Sequence, residues 1–348
     1  MIEPIISKNE NVKYILGIEG SANKLGVSII NNEKKILINM RRTYISEIGC
    51  GFIPREISSH HKHYLIDMIY DCLKKVKIKI TDISLICYTK GPGIGSALYI
   101  AYNICKIFSL LFNIPVVGVN HCIAHIEMGI FITKLYHPII LYVSGSNTQI
   151  IYYNDHKKKY EIIGETLDIA IGNVIDRSAR ILRISNLPSP GYNARDDTYD
   201  YTELLFFPYT IKGMDISFSG YDYYINKINL TDEEKRKIQI CYSLQHHIFS
   251  MLIEITERAI SFTHSNEVII VGGVGCNMFL QNMMKKMAKQ KNIKIGFMDH
   301  SYCVDNGAMI AYTGLIEYLS STNKQNYNFD NISIHQRYRT DDVLVTWR

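Results

Sequence analysis

No Cys-x-x-Cys pair occurs in this 348-residue chain, and its eight cysteines (50, 72, 87, 105, 122, 241, 276 and 303) have no spacing that reads as a zinc ribbon. They are expected as reduced thiols. No apolar run reaches the ~18–20 residues that a bilayer span needs, since even Phe108 to Val119 is broken by Asn113 and Pro115. A soluble protein without a membrane partner is the expectation. The first thirteen residues carry Glu3 and Glu10, unlike an Arg-rich transit peptide, and lack the apolar centre of a signal peptide, so a cytoplasmic or nuclear location is expected. Charge imbalance is also small. The 38 Lys and Arg against 33 Asp and Glu leave a net of +5, with both signs mixed along the chain. That permits a polyanionic partner without demanding one.

What is present is apolar substance, at 47% of residues, over a length of about two domains of ~100–200 residues each. Disorder, collagen and a disulfide miniprotein are thereby excluded. One local pattern occurs twice. Tyr14 to Ile30 reads as a strand (YILGIE), a turn at Gly20-Ser21 and a second strand (LGVSII), with β-rich sequence continuing to Thr43. Ile139 to Asn154 repeats it as IILYVS, a turn at Gly145-Ser146, and TQIIYYN, with a third strand near Tyr160 to Gly164. Helix-like sequence follows each copy, Pro54 to Val76 and Asp168 to Leu182, so two α/β lobes with a duplicated βββαβα core are expected. The boundaries are 13–138 for the first lobe, completed by 310–348, and 139–309 for the second.

A glycine turn between strands bares backbone N–H groups that can cradle phosphate, and two such hairpins facing each other would hold a nucleotide between the lobes. Either copy alone reads as an ordinary turn. A third cluster, Gly272-Gly273-x-Gly275, ends an apolar strand and opens a helix pattern from Met278 to Lys289, where an adenosine or phosphate is well placed. It is not the dinucleotide fingerprint, because the spacing differs and Asp299, the nearest acidic candidate, lies beyond another expected strand. His121 and His125 in GVNHCIAHIEMG fall one helical turn apart on one face, the spacing of two metal ligands, and packing histidines fit it equally. Cys122 stands where a zincin has its catalytic Glu. The His60-His61-x-His63 and His246-His247 runs lack ligand spacing.

The strings ILGIEGSANKLGV, YTKGPGIGSAL, GVNHCIAHIEMG, LYVSGSNTQI, GETLDIAIGNVIDR, SPGYN, KGMDISFSG, IIVGGVGCN, CVDNGAMIA and QRYRTDDVLVTWR, in collinear order over about residues 13 to 348, resemble one family throughout. It is the tRNA N6-adenosine threonylcarbamoyltransferase family in its archaeal and eukaryotic cytosolic branch, the catalytic subunit of the KEOPS/EKC complex. The resemblance implies the two-lobed actin-like ATPase fold shared with sugar kinases and heat-shock chaperones. It implies an acyltransferase that moves the threonylcarbamoyl group of threonylcarbamoyl-adenylate to N6 of the adenosine beside the anticodon, position 37, in tRNAs reading codons that begin with A. The exocyclic amine is a poor nucleophile, so a Lewis-acid metal, an oxyanion site and alignment suit the task.

Carried over by resemblance, one divalent ion (iron, zinc or magnesium-like) is held by His121, His125, Tyr142 and Asp305. Donor binding falls to Tyr142, Val143, Ser144, Gly145, Ser146, Asp176, Gly191, Arg195 and Asn277. By residue type alone Tyr142 also reads as a core aromatic, Asp305 as a helix N-cap, and Asp176 as a partner of Arg180. The chain departs from the family at Ser146, where a second glycine is usual, at Arg195, where an acid is usual, and at Ala97, where proline is usual. The implied partners are tRNA, a small atypical kinase-like ATPase, a dimerising subunit and a tRNA-binding subunit. The lysines at 285, 286, 289, 291 and 294, and Lys157 to Lys159, read first as solvated faces and, given tRNA, as phosphate contacts. The apolar stripe of Tyr64, Leu65, Met68, Ile69, Cys72 and Leu73 reads as core before docking surface. A sugar-kinase-like phosphotransferase and a non-catalytic scaffold are the rival functions.

Overall fold

A computed structural model describes residues 12–47, 50–185, 204–228 and 233–348. The first sheet comprises β1 (Tyr14–Glu19), β2 (Lys24–Asn31), β3 (Ile36–Thr43), β4 (Ile83–Gly91) and β5 (Val116–Asn120), in the order β3-β2-β1-β4-β5. Helix α1 (Pro54–Val76) joins β3 to β4, α2 (Gly95–Phe112) joins β4 to β5, and α3 (His121–Thr133) leaves β5. The second sheet comprises β6 (Ile139–Val143), β7 (Thr148–Asn154), β8 (Lys159–Glu165), β11 (Glu267–Val271) and β12 (Lys294–Gly296), in the order β12-β11-β6-β7-β8. Between β8 and β11 lie α4 (Ile171–Ile181), a short hairpin of β9 (Ile211–Lys212) and β10 (Asp215–Ile216), α5 (Tyr221–Lys227) and α6 (Glu233–Thr263). Helix α7 (Met278–Lys291) precedes β12, and α8 (His300–Cys303) and α9 (Gly307–Ser320) follow it. Each sheet pairs its first three strands antiparallel and adds two parallel strands beside the first, so the two orders superpose element for element. The repeat read from the two strand–turn–strand strings is the topology of the chain.

Strand alternation sorts the side chains into three cores. Leu16 and Ile18 pack outward with Leu65, Met68 and Ile69 of α1, while Leu141 and Val143 pack outward with Val174 of α4 and Ile248 of α6. The opposite faces meet in a middle core that gathers Ile15, Ile140, Tyr142 and Val271 from the sheets around α3 and α9. The α1 stripe is therefore core, as expected. Helix α2 corrects the expectation about apolar runs: Gly95–Phe112 forms one 18-residue helix whose sole charge is Lys106, long and apolar enough by length and composition to cross a membrane. Its buried side, Ala97, Leu98, Ala101 and Cys105, packs on β4 and α1, leaving Tyr99, Leu110 and Leu111 exposed.

The approach of α9 to the first sheet fixes where the site forms. A β-carbon on Gly26 would lie 2.6 Å from the Gly307 nitrogen, and one on Gly17 would lie 2.3 Å from the Gly307 oxygen. Only hydrogen fits there, and the helix start that carries Asp305 is thus pressed onto β1 and β2. Gly26→Val is expected to cost at least about 2 kcal/mol through overpacking. Gly220→Ala, with open space around the added carbon, should stay within ~0.5 kcal/mol of the parent. Urea unfolding midpoints check both, and an undisturbed Gly26→Val would contradict the packing.

Candidate metal and nucleotide site

Helix α3 starts where it does because Asn120 caps it, its side-chain oxygen accepting from the Cys122 and Ile123 amides at 2.9 and 3.1 Å. His121 and His125 then project from one face, their rings 4.8 Å apart. His121 Nδ1 hydrogen-bonds Glu19 Oε2 at 2.9 Å. Glu19 is wholly buried at the end of β1, on the inner face set by Ile15 and Gly17. It also accepts from the Ser21 amide (2.7 Å), the Thr89 hydroxyl (2.6 Å) and the Ser21 hydroxyl. Burial works to raise its carboxyl, but the attraction of His121 and these donors prevail and hold it below the ordinary range. Burial likewise works to lower the His121 imidazole, and Glu19 reverses this. With Nδ1 bonded to Glu19, His121 presents Nε2 to the crevice.

That nitrogen lies 3.6 Å from Asp305 Oδ1, and His125 Nε2 lies 3.1 Å from the same oxygen. Lys24 Nζ reaches Asp305 Oδ2 at 3.4 Å. Burial opposes the Asp305 charge, yet Lys24 and the two histidines keep its carboxyl well below the usual carboxylate range. Burial lowers the His125 pKa, against the pull of Asp305. One ligand atom from each of His121, His125 and Asp305 can be chosen so that all three lie within 4.8 Å of one another. Tyr142 stands beside them, its ring 5.6 Å from that of His125. Its hydroxyl is buried without a hydrogen-bond partner, as is His125 Nδ1. Unpartnered buried polar atoms are costly, and here they sit beside two imidazoles and a carboxylate. The donor set fits one divalent cation.

Both open alternatives at these positions resolve. Tyr142 is a core aromatic by burial and also lines the site. Asp305 is not the helix cap: the Asn306 side chain takes that place, accepting from the Met309 amide at 3.1 Å, which leaves Asp305 to the histidines.

The second hairpin is built as an open turn. Ser144 closes it, its amide donating to the Asn147 carbonyl at 2.8 Å and its hydroxyl accepting from Asn147 N–H at 3.0 Å and Ser146 N–H at 3.3 Å. Gly145 and Ser146 are exposed, and a β-carbon on Gly145 would meet nothing within 4 Å. Ser146 is not in the left-handed region, so its side chain sits there without backbone strain. Helix α4 abuts the turn through the Gly172 amide, which donates to the Ser144 carbonyl at 3.1 Å. Gly272, at φ +91°, brings the third glycine cluster against it: a β-carbon there would lie 2.4 Å from the Val143 oxygen.

Other expectations shift. The first hairpin is no open phosphate cradle, because the Ser21 amide and hydroxyl serve the buried Glu19 carboxylate instead. Val143 points its side chain into the outer core, leaving only its backbone for a ligand. The Asn277 oxygen caps α7 through the Phe279 and Leu280 amides, and its amide nitrogen donates to Gln245 Oε1 at 2.7 Å. Asp176 lies half-buried on α4. Gly191 and Arg195 lie outside the described residues. Sequence reasoning missed Glu19, Lys24 and Thr89. The one available signal was a carboxylate closing the otherwise apolar strand YILGIE, where burial demands a partner.

Comparison with known proteins gives the family and the fold. The family model described as TsaD, tRNA N6-adenosine threonylcarbamoyltransferase, matches residues 35–312. A Drosophila melanogaster protein named as a probable tRNA N6-adenosine threonylcarbamoyltransferase is 48% identical over 347 residues, covering 96% of this chain and 98% of that one. An Encephalitozoon cuniculi protein of the same name, without "probable", is 47% identical over 336 residues, with 96% and 98% covered. Among solved structures, HypF of T. kodakarensis aligns with a TM-score of 0.59 at 13% identity, over 89% of this chain and 48% of its own. Component A of the Acidaminococcus fermentans (R)-2-hydroxyglutaryl-CoA dehydratase aligns with a TM-score of 0.53 at 13% identity, over 89% and 100%. These two speak for the fold alone, the two-lobed actin-like ATPase architecture. Taken with the near full-length identity to its relatives, the match shows that the chain belongs to the tRNA N6-adenosine threonylcarbamoyltransferase family.

Proposed function

We propose that this protein transfers a threonylcarbamoyl group from threonylcarbamoyl-adenylate to N6 of adenosine 37 in tRNAs reading codons that begin with A. The observation that carries the reading is the convergence of His121, His125 and Asp305 around one point beside the unpartnered Tyr142 hydroxyl, in a chain of this family. The C–N bond to N6 forms, the carbamoyl–phosphate C–O bond breaks, AMP leaves, and N6 gives up one proton. A divalent ion held by His121, His125, Tyr142 and Asp305 would supply Lewis-acid polarisation, and two imidazole donors suit iron or zinc better than magnesium. Glu19 orients the His121 ring and raises its basicity as a ligand. The exposed Gly145-Ser146 turn, backed by α4 and Gly272, is where the donor's carbamoyl and phosphate oxygens can approach, Gly145 leaving open space there while the Ser146 and Asn147 amides are engaged by the Ser144 hydroxyl.

The partners belong to the same reading: tRNA, and within a KEOPS-type assembly a small kinase-like ATPase, a dimerising subunit and a tRNA-binding subunit, in the cytoplasm and nucleus. Support for a protein partner comes from the exposed Tyr70 on α1 and Tyr99, Leu110 and Leu111 on α2. On α7, Lys291 pairs with Glu257 at 2.7 Å and Lys285 lies over Phe297, while Lys286 and Lys289 are exposed to a polyanionic partner. No observation favours a phosphotransferase or an idle scaffold.

Purified protein with its partners, threonylcarbamoyl-adenylate and cognate tRNA is expected to form N6-threonylcarbamoyladenosine, read by nucleoside mass spectrometry. Asp305→Ala and His121→Ala should lower the rate by about 100-fold or more, the scale of losing a strong electrostatic stabiliser; undiminished rates would refute the assignment. Glu19→Gln keeps the size of the side chain and removes its charge. It should weaken metal affinity by about 10- to 100-fold in a chelator competition, and an unaltered affinity would remove Glu19 from this role.

A further inference from the structure

Consecutive arginines at the end of β3 point to opposite sides of the sheet. Arg42 stacks on the Tyr64 ring of α1, its guanidinium carbon 4.4 Å from the ring centroid. Arg41 pairs in register with Gly26, the inner-face residue pressed onto Gly307, so its side chain lies on the side of the candidate metal site. Lys24, two residues before Gly26, shares that face.

Arg41 is half-buried there, in the field of Asp305 and Cys276, and among the described residues it makes no ion pair. Its polar contact is with a neutral acceptor, His300 Nδ1, at 3.4 Å from Nη2. Arg348, more deeply buried, faces Glu127 at 4.0 Å. Asp305 cannot balance the local charge: Oδ2 is taken by Lys24 and Oδ1 by the two histidines. Two cations therefore share one committed carboxylate, with Cys276 of the Gly273–Cys276 turn near Arg41. A half-buried guanidinium without a counterion is an unfavourable arrangement that an anionic ligand relieves, and its planar fork matches a phosphate's paired oxygens.

Resting on the transfer reading above, we propose that Arg41, assisted by Lys24, seats a phosphate group at the rim of the site. The phosphate is either that of the adenylate donor or a phosphodiester of the tRNA. It is a positioning role: on the donor the phosphate belongs to the leaving AMP, on the tRNA it lies away from N6, and in either case Arg41 holds the substrate in place.

The test compares wild type, Arg41→Ala, Arg41→Gln and Arg42→Ala, each confirmed folded by circular dichroism, in binding AMP, adenosine and an unmodified tRNA transcript. If the donor phosphate sits on Arg41, both Arg41 variants bind AMP about tenfold or more weakly while adenosine affinity holds. If an RNA phosphate sits there, tRNA affinity falls instead and the slope of log K against log salt shrinks by about 0.7–0.9. Arg42→Ala should match wild type in every arm. Wild-type affinity of both Arg41 variants for both AMP and tRNA, or an equal loss in Arg42→Ala, overturns the seat. A wild-type protein that forms no modified nucleoside overturns the transfer reading itself, a failure seen separately in the activity assay.

Discussion

Asp305 is the group on which the site depends, because among the described residues it is the carboxylate that reaches both histidines of α3 and a lysine of β2. It can do so only because α9, which starts two residues later, is pressed onto the glycine-lined face of the first sheet. Asn306 takes over the capping of that helix, which frees Asp305 from its most ordinary use. Behind His121 stands Glu19, a second buried carboxylate satisfied by Ser21 and Thr89. Two buried acids flanking two imidazoles would be costly unless each were paired, and here each is. The result is a paired polar island inside the middle apolar core.

The C-terminal segment holds the two sheets around that island. His335 N–H donates to the Lys90 carbonyl at 2.8 Å, and the Asn120 amide donates to the Tyr338 and Arg339 carbonyls, both on the first sheet's side. Farther on, Val345 N–H donates to the Lys158 carbonyl at 2.8 Å, and Arg348 reaches the Tyr160 hydroxyl and, at 2.6 Å, the Tyr136 carbonyl, on the second. The strap also engages Asn120, the residue that caps α3 and sets the histidine face. Anchoring of the lobes and placement of the two histidines thus share residues.

Much of this was legible in the sequence. The doubled YILGIE-GS and IILYVS-GS strings encode a repeat that needs only alternation and turn chemistry to be read, and the two sheets realise it. The H-x-x-x-H spacing fixes one face of a helix by geometry alone, and the structure brings Asp305, 180 residues away, to it. The limits were equally physical. A turn's amides look free until something nearby claims them, and Ser21 is claimed by Glu19. Val143 and Tyr142 are neighbours in sequence but face different cores, a distinction set by strand register. Asn277 carries both a family motif and a helix start, and the helix start uses its oxygen. The inward aim of Arg41 depends on its register against Gly26, which no local pattern states.

The proposed function places a single cation among two imidazoles, a phenol and a carboxylate. Anomalous diffraction from crystals of metal-loaded protein, collected at the absorption edge of the ion it carries, tests this most directly. One strong peak per chain is expected, bounded by His121, His125, Tyr142 and Asp305. A stoichiometric ion whose peak lies elsewhere, with those four side chains placed as here, would contradict it.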